Sequence, residues 1–433
     1  MKPNQVKKLL LSEINSIVKN KNEYCESTDF IRNRKLPLDK VITTLLAMGG
    51  KSLTNELIEL FNYSPDMATS SAFVQQRAKL NPELLKSLFY SFIEKIYLKN
   101  NEMRVLAVDG TDIQIATNPN DKLSYVENNN GSYNLLHINA LYDLNRHTYL
   151  DYIIQKKREN DEHIALIEMV DNSNIPFALV IADRGYESYN NMAHIQEKGW
   201  KYLIRIKDVT GIKAGLDLPN GEVYDVDINL NLTRKQTNEI KKLAKEEKNH
   251  YRILPPTSPF DYLPIKNRKA EPTVFYELNF RIVRIHLNDG SYESIVTNLD
   301  REKYPIEIIK ELYESRWGIE TSFRQLKHTM GLLHFHSKKV MSIYQEIAAC
   351  FIMYNFTEMI TSHVVIVKGK KEYTYKANFS SAACVCKAFF CGKTSSPNVE
   401  AIIARNVVPI RPGRHFDRSG QTKTFISFFY RVA

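Results

Sequence analysis

Long hydrophobic runs are missing from this 433-residue sequence. No stretch approaches the roughly eighteen consecutive apolar residues that a membrane-spanning helix needs, so no membrane partner is expected. The opening segment MKPNQVKKLLLSEINSIVKN has too short an apolar run for a signal peptide and no cleavage-like small residues. Cysteine is scarce and odd in number, five in all. An odd count without a secretory context fits a reducing cytoplasm. Cys384, Cys386 and Cys391 lie close together, but a C-x-x-C start and a fourth ligand are both lacking, which argues against a zinc site. With Ala382, Ala383 and Ala388 they read as small residues of a buried helix. A Gly-rich phosphate loop of the P-loop type is also absent, which argues against an ATPase. There is no internal repeat and no low-complexity segment.

What is present is ordinary for a folded protein. Hydrophobic residues make up 43% and charged residues 25%, enough to bury a sizeable core. Lys and Arg number 59 against 49 Asp and Glu, a formal net charge of +10. A basic balance of that size favours a polyanionic partner, most simply nucleic acid. At roughly 100–200 residues per domain, the length suits two to four domains.

The first hundred residues read as helical. Amphipathic runs start at Pro37 and Lys51, turn chemistry follows at Asn62–Asp66, and two more helices are expected over Met67–Leu80 and Pro82–Leu98. Two short helices at a tight turn would form a helix-turn-helix. Its second helix would offer Gln75, Gln76, Arg77 and Lys79 to DNA. The pattern changes at Arg104. Val105–Val108, Leu135–Leu141 and Thr148–Ile154 read as strands, the last two joined by the turn Asp143-Leu144-Asn145-Arg146. A helix over Asp161–Val170, a strand over Phe177–Ala182, a helix over Tyr189–Lys198 and a strand over Trp200–Ile206 complete a β-β-β-α-β-α-β series. This is an α/β layer with a mixed sheet, in the element order of the ribonuclease H fold. Strand-like runs at Val223–Leu232, Val274–Leu287 and Tyr292–Leu299 mark a β-rich insertion. It also holds a basic helical stretch, Arg234–Lys248. Asp300 and Pro305 open one long helix to about Met330, and a further helix covers Met341–Ile360. The expected division has five parts: a helical N-terminal DNA-binding domain (1–100), the first part of the ribonuclease H-like core (101–207), the β-rich insertion (208–300), the second part of the core (301–365), and a helical, basic C-terminal region (366–433).

Asp109 and Asp183 each follow a buried apolar run. Carboxylates at the carboxyl ends of core strands sit in the crevice where open α/β sheets bind ligands. Two of them can share a divalent cation, because Mg²⁺ and Mn²⁺ prefer oxygen donors. Along the long helix, Tyr313, Arg316, Glu320, Arg324 and Lys327 fall on one face at 3.6 residues per turn. One carboxylate with several cations and a phenol suits a DNA phosphate held beside a metal. His334 and His336 lack a third ligand and read as structural or phosphate-contacting. Asn134, His137 and Lys338 are further candidates for contact with DNA. Asp112 reads as a turn residue or a support for Asp109.

These residues carry a resemblance. Tyr-x2-Arg-x3-Glu-x6-Lys, here Tyr313, Arg316, Glu320 and Lys327, is similar to the signature of the IS4 family of DDE transposases. The surrounding run ELYESRWGIETSFRQLKHTMGLLHFHSKK resembles that family, and VDGTD and IADRGY resemble its first and second aspartate motifs. A β-rich insertion between the second Asp and the Glu is also a family feature. The resemblance implies that Asp109, Asp183 and Glu320 are catalytic and hold two Mg²⁺ or Mn²⁺ ions. Tyr313, Arg316, Arg324 and Lys327 would grip phosphate, with Arg77, Lys79 and Lys338 as outlying DNA contacts. The implied reaction is cleavage at terminal inverted repeats followed by 3′-hydroxyl transfer into target DNA. The implied partners are double-stranded DNA and, in the synaptic complex, a second copy of the chain. The expected setting is a prokaryotic cytoplasm, at the nucleoid. Two rival readings share the residues: a ribonuclease H-like nuclease without strand transfer, and an inactive DNA-binding relative. In one respect the sequence departs from the family. Some relatives stabilise a flipped base with a tryptophan in the insertion, whereas Trp200 and Trp317 both lie outside it.

Overall fold

The computed structural model describes residues 1–31, 35–97, 102–128, 131–266, 268, 270–287, 290–366 and 374–410. The basic tail beyond residue 410 and the Asn288-Asp289 part of the expected hairpin turn lie outside them. The chain begins with five helices: α1 (Pro3–Lys19), α2 (Leu38–Ala47), α3 (Leu53–Leu60), α4 (Ser70–Arg77) and α5 (Glu83–Tyr97). Ser52 and Thr69 start α3 and α4 by accepting from the backbone N–H groups of Asn55 and Ala72. Between α3 and α4 the segment 61–69 is longer than the three- or four-residue turn of a helix-turn-helix, and it bends through positive φ at Asn62 and Tyr63. The tight pairing expected from the sequence is therefore not formed.

Strands β1 (Arg104–Ile115), β2 (Tyr125–Asn128), β3 (Gly131–Asp143) and β4 (Thr148–Lys156) come next. They are followed by α6 (Glu162–Asp171), β5 (Ala178–Ala182), α7 (Tyr189–Glu197) and β6 (Lys201–Ile206). The expected β-β-β-α-β-α-β series is present, with β2 added inside what reads as a polar stretch. Asp143 shapes the β3–β4 turn: its Oδ1 accepts from the N–H groups of Asn145 and Arg146, both at 2.9 Å. The spatial order β4-β3-β1-β5-β6 places β1 at the centre, antiparallel to β3 and parallel to β5. This is a ribonuclease H-like sheet.

The sheet then continues through β7 (Tyr224–Thr233), α8 (Asn238–Glu246), β8 (Tyr251–Ile253), β9 (Tyr276–His286) and β10 (Tyr292–Thr297). β10 pairs antiparallel with β6, so the insertion strands extend the core sheet without a break, in the order β6-β10-β9-β7-β8. The rest is helical: α9 (Ile306–Ser315), α10 (Trp317–His328), α11 (Val340–Thr361), the short strand β11 (Tyr375–Ala377), α12 (Phe379–Phe390), α13 (Ser396–Arg405) and β12 (Val407–Pro409), which pairs with β11. No helix among the described residues is long and apolar enough to cross a membrane.

Both faces of the central sheet are covered. All five residues of β5 are buried. Ala178, Val180 and Ala182 share a core with Leu166 and Met169 of α6 and Met192 of α7, whereas Leu179 and Ile181 pack with Ile309 and Tyr313 of α9. A strand buried on both faces reads as an unbroken apolar run. α11 is buried around nearly its whole circumference and serves as a post between the sheet and the N- and C-terminal helices. Asn355 on it exchanges two 2.8 Å hydrogen bonds with the backbone of Tyr149.

Candidate active site

β1 is longer than the apolar run Val105–Val108. Its parallel ladder with β5 ends at Ala107, while its antiparallel ladder with β3 continues to Ile115. Asp109 therefore stands inside a strand, just past the point where β1 and β5 part. Asp183 follows the last residue of β5 and caps a short 3-10 turn, its Oδ1 accepting from Gly185 N–H at 2.7 Å. The two aspartates thus sit on neighbouring strands, at the crevice where open α/β sheets place their ligands.

Glu320 arrives from the other side, on α10. The expected single helix is two, tightened at Arg316: Arg316 N–H bonds to Tyr313 O at 3.1 Å, and Ile319 N–H to Arg316 O at 3.1 Å. These i-to-i+3 bonds are a local 3-10 turn. α10 is seated by its buried face of Ile319, Ser322, Phe323 and Leu326, with Tyr149 and Ser322 hydroxyls 2.5 Å apart.

The buried Arg316 guanidinium ties the site together. Its Nη2 donates to Glu320 Oε1 at 3.0 Å, and its Nη1 lies 4.0 Å from Asp109 Oδ2. Burial pushes the Asp109 carboxyl up to about 6. The Gly110 N–H and Arg316 work against that rise, and the neighbouring Asp183 and Glu320 carboxylates add to it. Asp183 and Glu320 thus both lie within electrostatic reach of Asp109. Among the described residues, no three Asp, Glu, His or Cys side chains close into a ready cage for an ion. The chemistry of the donor set nevertheless fits a hard divalent cation: three partly exposed carboxylates, whose oxygens such an ion prefers and which phosphate oxygens and water could supplement.

The remaining residues of the row occupy distinct places. Tyr313 is buried behind Arg316, whose guanidinium carbon is 5.9 Å from its ring centre. Its hydroxyl finds no hydrogen-bond partner among the described residues, and burial raises its pKa. Lys327 reaches back to β1 and donates to Asp112 O at 3.0 Å, and burial lowers its pKa. Arg324 is exposed, one turn beyond Glu320.

The outlying candidates divide. Lys338 and Lys79 are exposed, and Lys79 pairs with Asp29 at 2.9 Å. Arg77 is not available to DNA, because it is only 1% exposed. It donates to Glu346 Oε1 at 2.8 Å, Gln345 Oε1 at 3.1 Å and Ser342 O at 2.8 Å. Asn134 is also internal, bonded to Ser124 and to the backbone of Asn118. His336 is structural: its ring meets Glu346 and the Lys51 carbonyl. Glu162, unremarked in the sequence, lies against the site with His137 and Asp112. Burial opposes a charge on His137, but the hydrogen bond to Asp112 and the Glu162 carboxylate beside its other nitrogen push its pKa up to about 9.

A ribonuclease H-like sheet whose two neighbouring core strands bring up aspartates, with a helix-borne glutamate tied in through Arg316, is the framework of a nucleotidyl-transfer domain. The comparisons narrow the class. The family model described as Transposase DDE domain matches residues 100–356, more than half of the chain. The transposase InsG for insertion sequence element IS4 of Escherichia coli strain K12 is 21% identical over 346 residues, which cover 75% of this chain and 70% of that protein. A cryo-EM structure of the piggyBac transposase synaptic complex with hairpin DNA aligns at a TM-score of 0.46 and 11% identity, over 97% of this chain and 88% of that one. The chain belongs to the DDE transposase family, and its signature is of the IS4 type.

Proposed function

We propose that this protein cuts DNA at the terminal inverted repeats of its own element and joins the freed ends to target DNA, with Asp109, Asp183 and Glu320 holding two Mg²⁺ or Mn²⁺ ions. The observation that carries the reading is the meeting, at Arg316, of Asp109 from β1 with Glu320 from α10, beside Asp183 at the end of β5. When bound, the ions supply activation of the attacking oxygen and stabilisation of the leaving one.

The chain's own residues position the reactants. Asp109 and Asp183 are held by backbone N–H groups, from Gly110 at 2.9 Å and Gly185 at 2.7 Å, so their carboxylates are oriented before substrate arrives. Arg316 keeps Glu320 turned toward Asp109 and presents positive charge to a phosphate. Lys327 can grip a neighbouring phosphate, exposed Arg324, Lys79 and Lys338 extend the basic track, and Tyr313, whose hydroxyl is buried away from any phosphate, backs the Arg316 guanidinium with its ring. In cleavage, water oxygen bonds to phosphorus, the phosphorus bond to the 3′-oxygen of the element breaks, and that oxygen leaves as a 3′-hydroxyl. In strand transfer the 3′-hydroxyl oxygen bonds to a target phosphorus and displaces the target's own 3′-oxygen. Each step exchanges one P–O bond for another, so no nucleotide cofactor is needed. Two ends must be held together, which calls for a dimer on DNA.

The test is cleavage of labelled DNA carrying the element's terminal repeats, in Mg²⁺, by wild type, Asp109→Asn and Glu320→Ala. Cutting at the repeat ends by wild type alone is expected. Binding without cutting by any of the three would overturn the reading in favour of a DNA-binding relative. Cutting that ignores the repeats would replace it with a nuclease.

A further inference from the structure

Two more carboxylates lie against the site, and neither belongs to the three assigned ones. Asp112 is three residues beyond Asp109 on β1, and Glu162 is the first residue of α6. One imidazole stands between them. His137 on β3 is directly opposite Asp112 in the β1–β3 register. Its Nδ1 is 2.7 Å from Asp112 Oδ1, and its Nε2 is 3.2 Å from Glu162 Oε1, an ion-pair distance at an oblique hydrogen-bond angle. Lys157 Nζ takes the other oxygen of Asp112 at 3.3 Å. The ring is 7% exposed, whereas the carboxylates of Asp112 and Glu162 are 43% and 34% exposed, so both face solvent and the buried ring between them fixes where they point.

Glu162 is also placed over the backbone beside both catalytic aspartates. A Cβ on Gly110 would lie 3.1 Å from Glu162 Oε1 and 2.3 Å from His137 Nε2. A Cβ on Gly185 would lie 3.3 Å from Glu162 Oε2 and 2.9 Å from Asp183 Oδ1. Glu162 and Asp183 therefore converge above Gly185. The absence of a side chain at Gly110 is what lets the His137 ring pass through to Glu162. A hard cation accepts any carboxylate oxygen within reach, so Glu162 is a rival ligand unless it is restrained.

We propose that His137 is a positioning residue that holds Glu162, and with it Asp112, away from the metal site, so that Asp109, Asp183 and Glu320 supply the carboxylate ligands. The inference rests on the transposase reading and deepens it. Changes in the shell around a metal's ligands commonly alter affinity or activity by about ten- to a hundredfold, and a freed Glu162 would be such a change. His137→Ala should therefore slow cleavage of repeat-end DNA in Mg²⁺ by about that factor. Glu162→Gln, which removes the rival charge, should cut close to the wild-type rate. The double variant His137→Ala/Glu162→Gln should recover most of the loss, which a purely structural ring would not allow.

Calorimetric titration of the full, metal-free chain with Mn²⁺ gives a second readout. His137→Ala should bind Mn²⁺ more tightly or in greater number than wild type, and the double variant should return to the wild-type isotherm. If His137→Ala does not fold, His137→Gln takes its place in every comparison. Glu162→Gln as damaging as Glu320→Ala would make Glu162 a ligand itself and overturn the proposal. A double variant as defective as His137→Ala would overturn it as well. A wild type that fails to cut sinks the transposase reading instead, and the Mn²⁺ isotherms then decide the role of His137 by themselves.

Discussion

Replacing Arg77 by alanine separates a structural cation from a DNA-reading one. The guanidinium bridges α4 to α11 through Glu346, Gln345 and the Ser342 carbonyl, at 1% exposure. Burial works against a charge on Glu346, and Arg77 and His336 overcome it, holding the carboxyl below its ordinary range. Arg77→Ala leaves that charge inside the protein with only His336 beside it. Breaking a buried pair from one side costs about 3–5 kcal/mol. That is a large part of the roughly 5–15 kcal/mol that holds a domain together. In urea unfolding at pH 7, the midpoint should fall by that free energy divided by the slope, with the slope itself unchanged. Removing both charges with Arg77→Met/Glu346→Met should recover much of the loss, because an apolar pair of similar volume is often as stable as the buried ions. Binding to repeat-end DNA, measured where the variant is folded, should keep its salt dependence. An unchanged urea midpoint together with a salt slope reduced by about one would refute the reasoning, because that is the signature of a lost phosphate contact.

Gly110→Ala should abolish cleavage and lower stability, because its methyl would sit 2.3 Å from His137 Nε2 with a buried ring that has little room to retreat. Comparing cleavage rate and melting temperature with wild type checks this, and an active, equally stable variant would contradict it. On α11, burial pushes Glu358 up to about 8, although Lys376 pulls it down. The folded state therefore prefers the protonated acid. Glu358 stabilises fully below the ordinary carboxyl range of about 4–5, and this is lost as pH rises through about 8. Each pH unit within that window costs about 1.4 kcal/mol at most. Glu358→Gln should match wild type near pH 5 and exceed it at pH 9 in chemical denaturation, and parallel curves for the two proteins would exclude the effect.

The three candidate acids stood out in the sequence because each ends or interrupts a simple pattern. Val105–Val108 and Ala178–Ala182 are apolar runs stopped by an aspartate, and Glu320 stands in a row of helical period. The succession of core strands and helices was readable for the same reason: strands buried on both faces leave unbroken apolar runs. The full length of β1 also had a signal, since Ile113 and Ile115 keep the period of two beyond Asp109 and both are buried. The tightening at Arg316 left none, because one 3-10 turn hardly disturbs a helical period.

What stayed hidden depends on a partner far along the chain. Arg77 follows Phe73 by one helical turn and reads as a surface cation, and only Glu346, 269 residues later, makes its burial tolerable. Glu162 reads as the usual acid in the first turn of a helix, where the dipole favours it. Only the β1–β3 register, which sets Asp112 opposite His137, brings an imidazole between two acids at the edge of the site. Short motifs therefore point to the groups proposed to do the chemistry, because such groups must occupy particular strand ends and helix faces. The groups that restrain neighbouring charge are chosen by register and burial, and their types look unremarkable until those distant contacts are known.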